Sequence, residues 1–227
     1  MTTWDERFRE GDYPEDPEPS PVLRAFVEAL PAGRALDIAT GTGRNAVYLA
    51  REGYEVDAID QSQEGLRITR ERAQVEGVAD RLSLARADAT EYDFPESAYD
   101  LVTISFFRTL DRLNDIKDAL KPGGVLFYQH HLRSPDATVG PDGSRYRFRA
   151  NELLHACLDL TVLHYEASTE WIDGDSDDDR DRDESRNGDS DGNRNGDDDR
   201  VSATATVVAR NSHGGAQSYP EPSWNRP

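Results

Sequence analysis

Ala35-Leu36-Asp37-Ile38-Ala39-Thr40-Gly41-Thr42-Gly43-Arg44-Asn45-Ala46 is the stretch whose reading decides the fold. An apolar run of strand character enters a tight glycine turn, and the turn opens an amphipathic helix. Glycine lets the backbone adopt positive φ and approach a ligand closely. A helix N-terminus favours an electronegative ligand group. Gly41-x-Gly43-x-x-Ala46 also fits the dinucleotide fingerprint. Taken alone, the turn leaves open a dinucleotide, another nucleotide-like ligand, or a bare strand–helix connection.

Outward from this stretch, short apolar runs alternate with amphipathic segments as far as about Arg133. Strands are expected at 35–39, 55–59, 82–87, 101–106 and 125–129, and helices at 45–52, 63–76 and 113–120. That alternation implies βαβ units and a parallel sheet, an α/β fold. Before it, Ser20-Pro21 reads as an N-cap and first-turn proline for a helix to about Leu30. After it, 134–150 reads as loop, 151–158 as helix, and 160–171 and 201–210 as strands. Residues 1–19, polar and rich in Pro, Asp and Glu, form an expected N-terminal arm or lid. Residues 20–211 form the domain, and 212–227 a flexible tail. Between the last two strands, 173–200 holds 13 acidic residues and five arginines among Gly, Asn and Ser. It cannot bury a core and is expected to be a disordered insertion in a hairpin.

The 227 residues suit one domain, and their formal net charge is −19. That balance argues against a phosphate-backbone partner, so no nucleic acid is expected. A single cysteine, Cys157, excludes an intrachain disulfide and disfavours a thiolate zinc site. No metal is expected: Asp175–Asp179 resembles a calcium loop, but Arg180 and Arg186 occupy the glycine and glutamate positions that such a loop needs. No run approaches the roughly 20 apolar residues of a membrane span. The N-terminus does not read as a signal peptide, so a cytoplasmic protein is expected. Of 26 basic residues 24 are arginines. An acidic surface so poor in lysine suggests a halophilic source, where molar salt screens self-repulsion.

Four features separate the ligand classes. Asp37, inside the first strand's end, would repel a pyrophosphate but suits a ligand carrying an ammonium and a sulfonium. Asp60 ends the second strand, where a carboxylate can accept both ribose hydroxyls. Asp88-Ala89 follows the third strand, where a side-chain acceptor and a backbone N–H can read an adenine edge. Tyr99-Asp100-Leu101-Val102 starts the fourth strand, and Lys121-Pro122-Gly123-Gly124 turns into the fifth.

These residues, in this order, resemble the class I S-adenosylmethionine-dependent methyltransferases, densely over about 35–130. Trp4-Asp5-Glu6-Arg7-Phe8, Gly43-Arg44-Asn45 with Tyr48-Leu49-Ala50, and Asn151-Glu152-Leu153-Leu154 leading to His164-Tyr165-Glu166 resemble the tellurite-resistance, TehB-like branch, which includes thiopurine-type relatives. The resemblance implies a Rossmann-like, seven-stranded, mostly parallel sheet in order 3-2-1-4-5-7-6 with helices on both faces. It implies S-adenosylmethionine as donor, S-adenosylhomocysteine as product and a small-molecule acceptor. Ala39 departs mildly from the usual first glycine. Glu170-Trp171-Ile172-Asp173 lies where a basic His/Arg pair would suit tellurite.

Gly41 and Gly43 are then expected to bring backbone against the donor's methionine end, with Ala39 beside them. Asp37 would hold its ammonium, directly or through water, or else cap a turn. Asp60 would take the ribose, Gln61 lie along the adenine, and Asp88 with Ala89 read its edge; Asp88 otherwise serves a solvated turn. Ser105 would border the methyl position. Arg7 would close over the carboxylate, or be an ordinary exposed arginine. On the acceptor side stand Phe106, Phe107 and Arg108 after the fourth strand, and Arg147, which shares a face with Arg149. His130 and His131 are the candidate catalytic bases, against the plainer reading of a packed pair.

Three other functions compete. The strand-four end Ile104-Ser105-Phe106-Phe107 lacks the cluster used for amino-nucleobase methylation, which disfavours a macromolecular acceptor. Asp37 disfavours a dinucleotide oxidoreductase. A non-catalytic cofactor-binding or interaction protein remains the third. The partners expected are a small molecule and at most a second copy, as monomer or homodimer.

Overall fold

The computed structural model describes residues 3–11, 13, 14, 17–30, 32–172, 200–213 and 222–225, with backbone alone for Ile172 and Asn225. Its elements in chain order are α1 (Trp4–Arg9), α2 (Pro21–Val27), β1 (Arg34–Ile38), α3 (Arg44–Arg51), β2 (Glu55–Asp60), α4 (Gln63–Val75) and β3 (Leu82–Arg86). They continue with β4 (Tyr99–Ser105), α5 (Leu113–Asp118), β5 (Leu120–His131), α6 (Glu152–Ala156), β6 (Thr161–Ile172) and β7 (Arg200–Arg210). The seven strands form one sheet in order β3-β2-β1-β4-β5-β7-β6. β1 to β5 pair in parallel, and β7 runs antiparallel to both its neighbours. This is the Rossmann-like methyltransferase fold, in the strand order expected.

The central strands are buried on both faces, which is why they read as near-continuous apolar runs. Leu36, Ile38, Val102, Ile104, Leu126 and Tyr128 pack with Leu113 and Ile116 of α5 and Leu153 of α6. Ala35, Val56, Ala58, Leu101, Val125 and Phe127 pack with Phe26 of α2 and Leu49 of α3 on the other face. No helix among the described residues is long and apolar enough to cross a membrane.

Several boundaries move for local reasons. β1 stops at Ile38 because Ala39 takes φ of 56°, and β4 stops at Ser105 because Phe106 takes φ of 58°. Left-handed backbone costs a non-glycine residue roughly 1–2 kcal/mol, so both strand ends are held by their surroundings. β5 is longer than expected: Lys121 to Gly124 belong to the strand, and a register shift between Tyr99 and Leu101 absorbs the irregularity. Ser20 stands at the N-cap of α2, but its side chain makes no capping hydrogen bond.

The N-terminal arm contains a helix that its composition hides. α1 is fixed by a capping box, in which Glu6 N–H donates to Thr3 Oγ1 and Thr3 N–H donates to Glu6 Oε2 at 2.7 Å. Of 212–227, Ser223–Asn225 form a 3-10 turn whose Trp224 ring meets Phe26 edge-on at 5.9 Å. Residues 173–199, including the calcium-loop lookalike, and 214–221 lie outside the described residues.

Candidate functional site

Antiparallel β7 aside, every strand of the sheet's centre ends at the same edge, and the chain order reverses between β1 and β4. Open α/β sheets bind ligands at such a switch point. A cavity of about 300 Å³ lies there. Asp37, Ala39, Gly41, Asp60, Gln61, Asp88, Ala89, Ser105, Phe106 and Phe107 all line it. Ten of the sixteen residues expected to form the site therefore meet in one place.

Each carboxylate is held in a defined way. Asp37 is 2% exposed; its two oxygens accept from the hydroxyls of Thr40 and Thr103, both at 2.6 Å. Burial pushes its pKa up against the pull of those hydroxyls and of nearby Arg44. Asp60 Oδ2 accepts from Gly41 N–H at 2.8 Å and Oδ1 from Ser62 N–H at 2.7 Å. It thus ties the glycine turn to the start of α4, and burial raises its pKa as well. Asp88 Oδ1 accepts from the backbone N–H and hydroxyl of Thr90, which lowers its pKa.

The turn itself is shaped by α4. Gly43 takes φ of 83°, and a Cβ there would lie 2.6 Å from Thr69 Cγ2. It faces α4 rather than the cavity, so its role is to let helix and turn approach, not to line the ligand. α1 covers the opening. Phe8 and Trp4 line the cavity, their rings stacked at 5.7 Å. Asp5 Oδ1 anchors this helix by accepting from Ser62 Oγ at 2.5 Å and from Glu64 N–H at 3.0 Å. A carboxylate at the N-terminus of α4 also favours that helix's dipole.

Five other expected residues stand elsewhere. Arg7 is exposed, its guanidinium 4.9 Å over the Trp4 ring, and does not line the cavity. The cation that does is Arg44, 5.2 Å over the Phe106 ring. Arg108 pairs with Glu152 at 2.8 Å and lies over Phe148. Arg147 donates to the carbonyls of Val139 at 2.8 Å, Pro141 at 3.0 Å and Leu132 at 3.3 Å, which ties down the 134–150 loop. The histidines form the packed pair: His131 N–H donates to His130 Nδ1 at 2.6 Å, and the Phe106 ring lies tilted against His131 at 4.7 Å. Neither lines the cavity.

Burial lowers their pKa values to about 3 for His130 and about 4 for His131. A folded-state pKa below the unfolded one means the unfolded chain binds more protons at acid pH. Stability from this pair is complete above pH 6.5 and is lost as pH falls below it toward 4 and 3. Urea unfolding followed from pH 7 to 4 should show that decline, and the double variant His130→Asn, His131→Asn should flatten it. An unchanged slope in the variant would assign the decline to other groups.

Asn45, on the first turn of α3, is a further wall residue; the sequence marks it as part of the Gly43-Arg44-Asn45 likeness and not as a site residue. It is 3% exposed, its Nδ2 donates to Ser105 Oγ at 3.0 Å, and its Oδ1 has no partner. The available signal was a polar residue inside an otherwise apolar helix face.

The sheet order and its switch-point cavity define a Rossmann-like fold with a ligand site at the carboxyl edge of its strands. Residues 35–124 match the family described as a methyltransferase domain. The chain is similar to the ubiquinone/menaquinone biosynthesis C-methyltransferase UbiE of Azotobacter vinelandii, 33% identical over 123 residues, covering 51% of this chain and 49% of that one. The chain spans about half the length of the curated relatives it matches. Among solved structures it resembles TehB from Haemophilus influenzae (TM-score 0.61, 22% identity, 81% of this chain and 59% of that one). It also resembles a SAM-dependent methyltransferase from Geobacter sulfurreducens in complex with S-adenosyl-L-homocysteine (TM-score 0.59, 19% identity, 74% of each chain). At those identities the structural likeness is one of fold.

Proposed function

We propose that this protein moves a methyl group from S-adenosylmethionine to a small-molecule acceptor and releases S-adenosylhomocysteine. The observation that carries the reading is the convergence of Asp37, Asp60 and Asp88 with the Gly41 turn on one cavity. Three carboxylates favour a cationic, nucleoside-bearing ligand and oppose a diphosphate. The matching domain family and the methyltransferase relatives support it.

The residues present fit that ligand group by group. Asp60 keeps lone pairs for the ribose hydroxyls. Asp88 keeps Oδ2 for the adenine amino group, with Ala89 and Gln61 beside it. Asp37, engaged by two hydroxyls, acts through its charge. Arg44 takes the role first assigned to Arg7, as partner of the amino-acid carboxylate. Ser105, Phe106 and Phe107 border the acceptor.

The bound donor supplies an electrophilic methyl group on a sulfonium, whose leaving thioether needs no acid. The protein's task is alignment and exclusion of water, which α1, Trp4 and Phe8 serve as a cover. Well-oriented reactants save about 7–11 kcal/mol in this way. Among the described residues, the cavity wall carries no histidine, lysine or cysteine. That favours an acceptor that needs no strong base, such as a soft thiol, a selenol or an already ionised group. The TehB-like branch is supported by the Arg44-Asn45 pair and the shape of the TehB neighbour, and the halophilic source by the acidic, lysine-poor composition.

Calorimetric titration with S-adenosylhomocysteine and with NADH in about 2–3 M KCl, where charge is screened within about 3 Å, tests the reading. Binding of the first is expected. Tight binding of NADH alone would overturn it. The same protein should unfold at higher temperature as KCl rises, and insensitivity to salt would remove the halophilic assignment.

A further inference from the structure

Asn45 is 3% exposed, and its Oδ1 accepts no hydrogen bond although it belongs to the cavity wall. A buried acceptor left unpaired destabilises the protein. Asparagine is also a weak helix former. Neither cost is repaid by the protein's own contacts, because the amide's other end already satisfies itself on Ser105. The group that would relieve it must be a donor arriving in the cavity.

We infer that Asn45 Oδ1 accepts a hydrogen bond from the ammonium group of the methyl donor's amino-acid end. The inference rests on the donor reading proposed above. An ammonium carries three donors and a charge, and is the strongest donor on such a ligand. Asp37, the residue first expected to hold it, has each oxygen engaged by a threonine hydroxyl. It lends negative charge and leaves a direct contact to another side chain. The neighbour in sequence fits the same picture: Arg44 lines the cavity beside Asn45 and suits a carboxylate. Ammonium and carboxylate are borne on one carbon in an amino acid. Consecutive residues of opposite hydrogen-bonding character match that zwitterion. Ser105 Oγ accepts from the amide's NH2 end, at the carboxyl end of β4 beside β1, which leaves Oδ1 to accept from elsewhere.

The test compares two probes by calorimetry: S-adenosylhomocysteine, and 5′-methylthioadenosine, which shares the nucleoside and lacks the amino-acid group. In Asn45→Ala the first is expected to weaken about tenfold or more, and the second to stay unchanged. In Asn45→Asp, which keeps an acceptor and adds charge, the affinity for S-adenosylhomocysteine should return. Equal loss of both probes in Asn45→Ala would make the residue a structural prop and overturn the inference. So would loss in Asn45→Asp as great as in Asn45→Ala, which would point to an amide NH2 on the carboxylate. Unchanged affinity in Asn45→Ala, with tight binding by the unaltered protein, would overturn the inference alone. Failure of the unaltered protein to bind either probe would overturn the donor reading and the inference with it. If Asn45→Ala does not fold, Asn45→Ser provides the same comparison, since its shorter hydroxyl does not span the position of Oδ1.

Discussion

Replacing Asp60 with alanine will weaken binding of S-adenosylhomocysteine by about 1.5–3 kcal/mol, roughly 10- to 150-fold, and leave the domain folded. The carboxylate does two jobs. It holds Gly41 N–H and Ser62 N–H in place, and it offers its remaining lone pairs to the cavity. Its loss takes away the charge-assisted bonds to a ribose and loosens the turn that the rest of the ligand crosses. Folding should survive because the change has compensations. Burial disfavours the charged form of Asp60, as its raised pKa shows, so removing the group relieves a desolvation cost while freeing two N–H groups. Asp60→Asn should fall between the two, since it keeps an acceptor and loses the charge. The raised pKa adds a pH test. Asp60 protonates at a higher pH than an ordinary aspartate, so affinity should begin to fall above the usual 3.8 as the solution is acidified. Titrations of all three proteins at several pH values check this. An alanine variant with unaltered affinity would remove Asp60 from the ribose role.

The placement of that carboxylate was legible in the sequence because it depends on local rules. A residue at the end of an apolar run, just before a serine-capped helix, must stand at the carboxyl edge of a parallel strand. Asp60 follows from this, while Asp37 and Asp88 follow from the plainer rule that an apolar strand run entering a turn ends there; their meeting at one cavity follows once the strand order is known. The helix of the N-terminal arm was equally legible in principle. Thr3-Trp4-Asp5-Glu6 carries the capping-box spacing, but the Pro and acidic residues around it masked the signal.

What was not legible depends on how distant segments lie together. Arg147 alternates with aromatics, as a binding arginine would. Its fate is decided by three carbonyls of a loop whose path no local pattern specifies. His131 sits at a strand end that opens on the site edge. Phe106 covers it, and that follows from a left-handed residue at the end of β4. Arg7 and Arg44 carry the same charge a few dozen residues apart. Only the docking of α1, anchored by Asp5 on α4, turns one outward while the other faces the cavity. Local spacing therefore located the strand-end groups, and it did not place the long cations, whose reach spans several elements.

The close approach of α4 to the glycine turn leads to the second large effect. Gly65→Ala will destabilise the protein by about 1–2 kcal/mol, and it will weaken ligand binding as well. The expectation runs against helix propensity, which favours alanine over glycine by about 1 kcal/mol in a helix interior. Packing decides the sign. A Cβ at Gly65 would lie 2.7 Å from the carbonyl oxygen of Gly41 and 3.0 Å from Phe8 Cε2. The Gly41 carbonyl has little freedom to retreat, because Thr69 Oγ1 donates to it at 3.0 Å and Asp60 holds the same residue's N–H. α4 must move instead, and overpacking of this kind costs about 1–3 kcal/mol. Ser62 donates to Asp5 and accepts from Gly65, so a shifted α4 also pulls on the anchor of α1. The cover formed by Phe8 and Trp4 then no longer seats on the turn. Urea unfolding with and without S-adenosylhomocysteine measures both consequences. A variant stabilised by the full helix-propensity gain, with ligand binding intact, would mean that α4 and the turn are not in the tight contact that shapes this site.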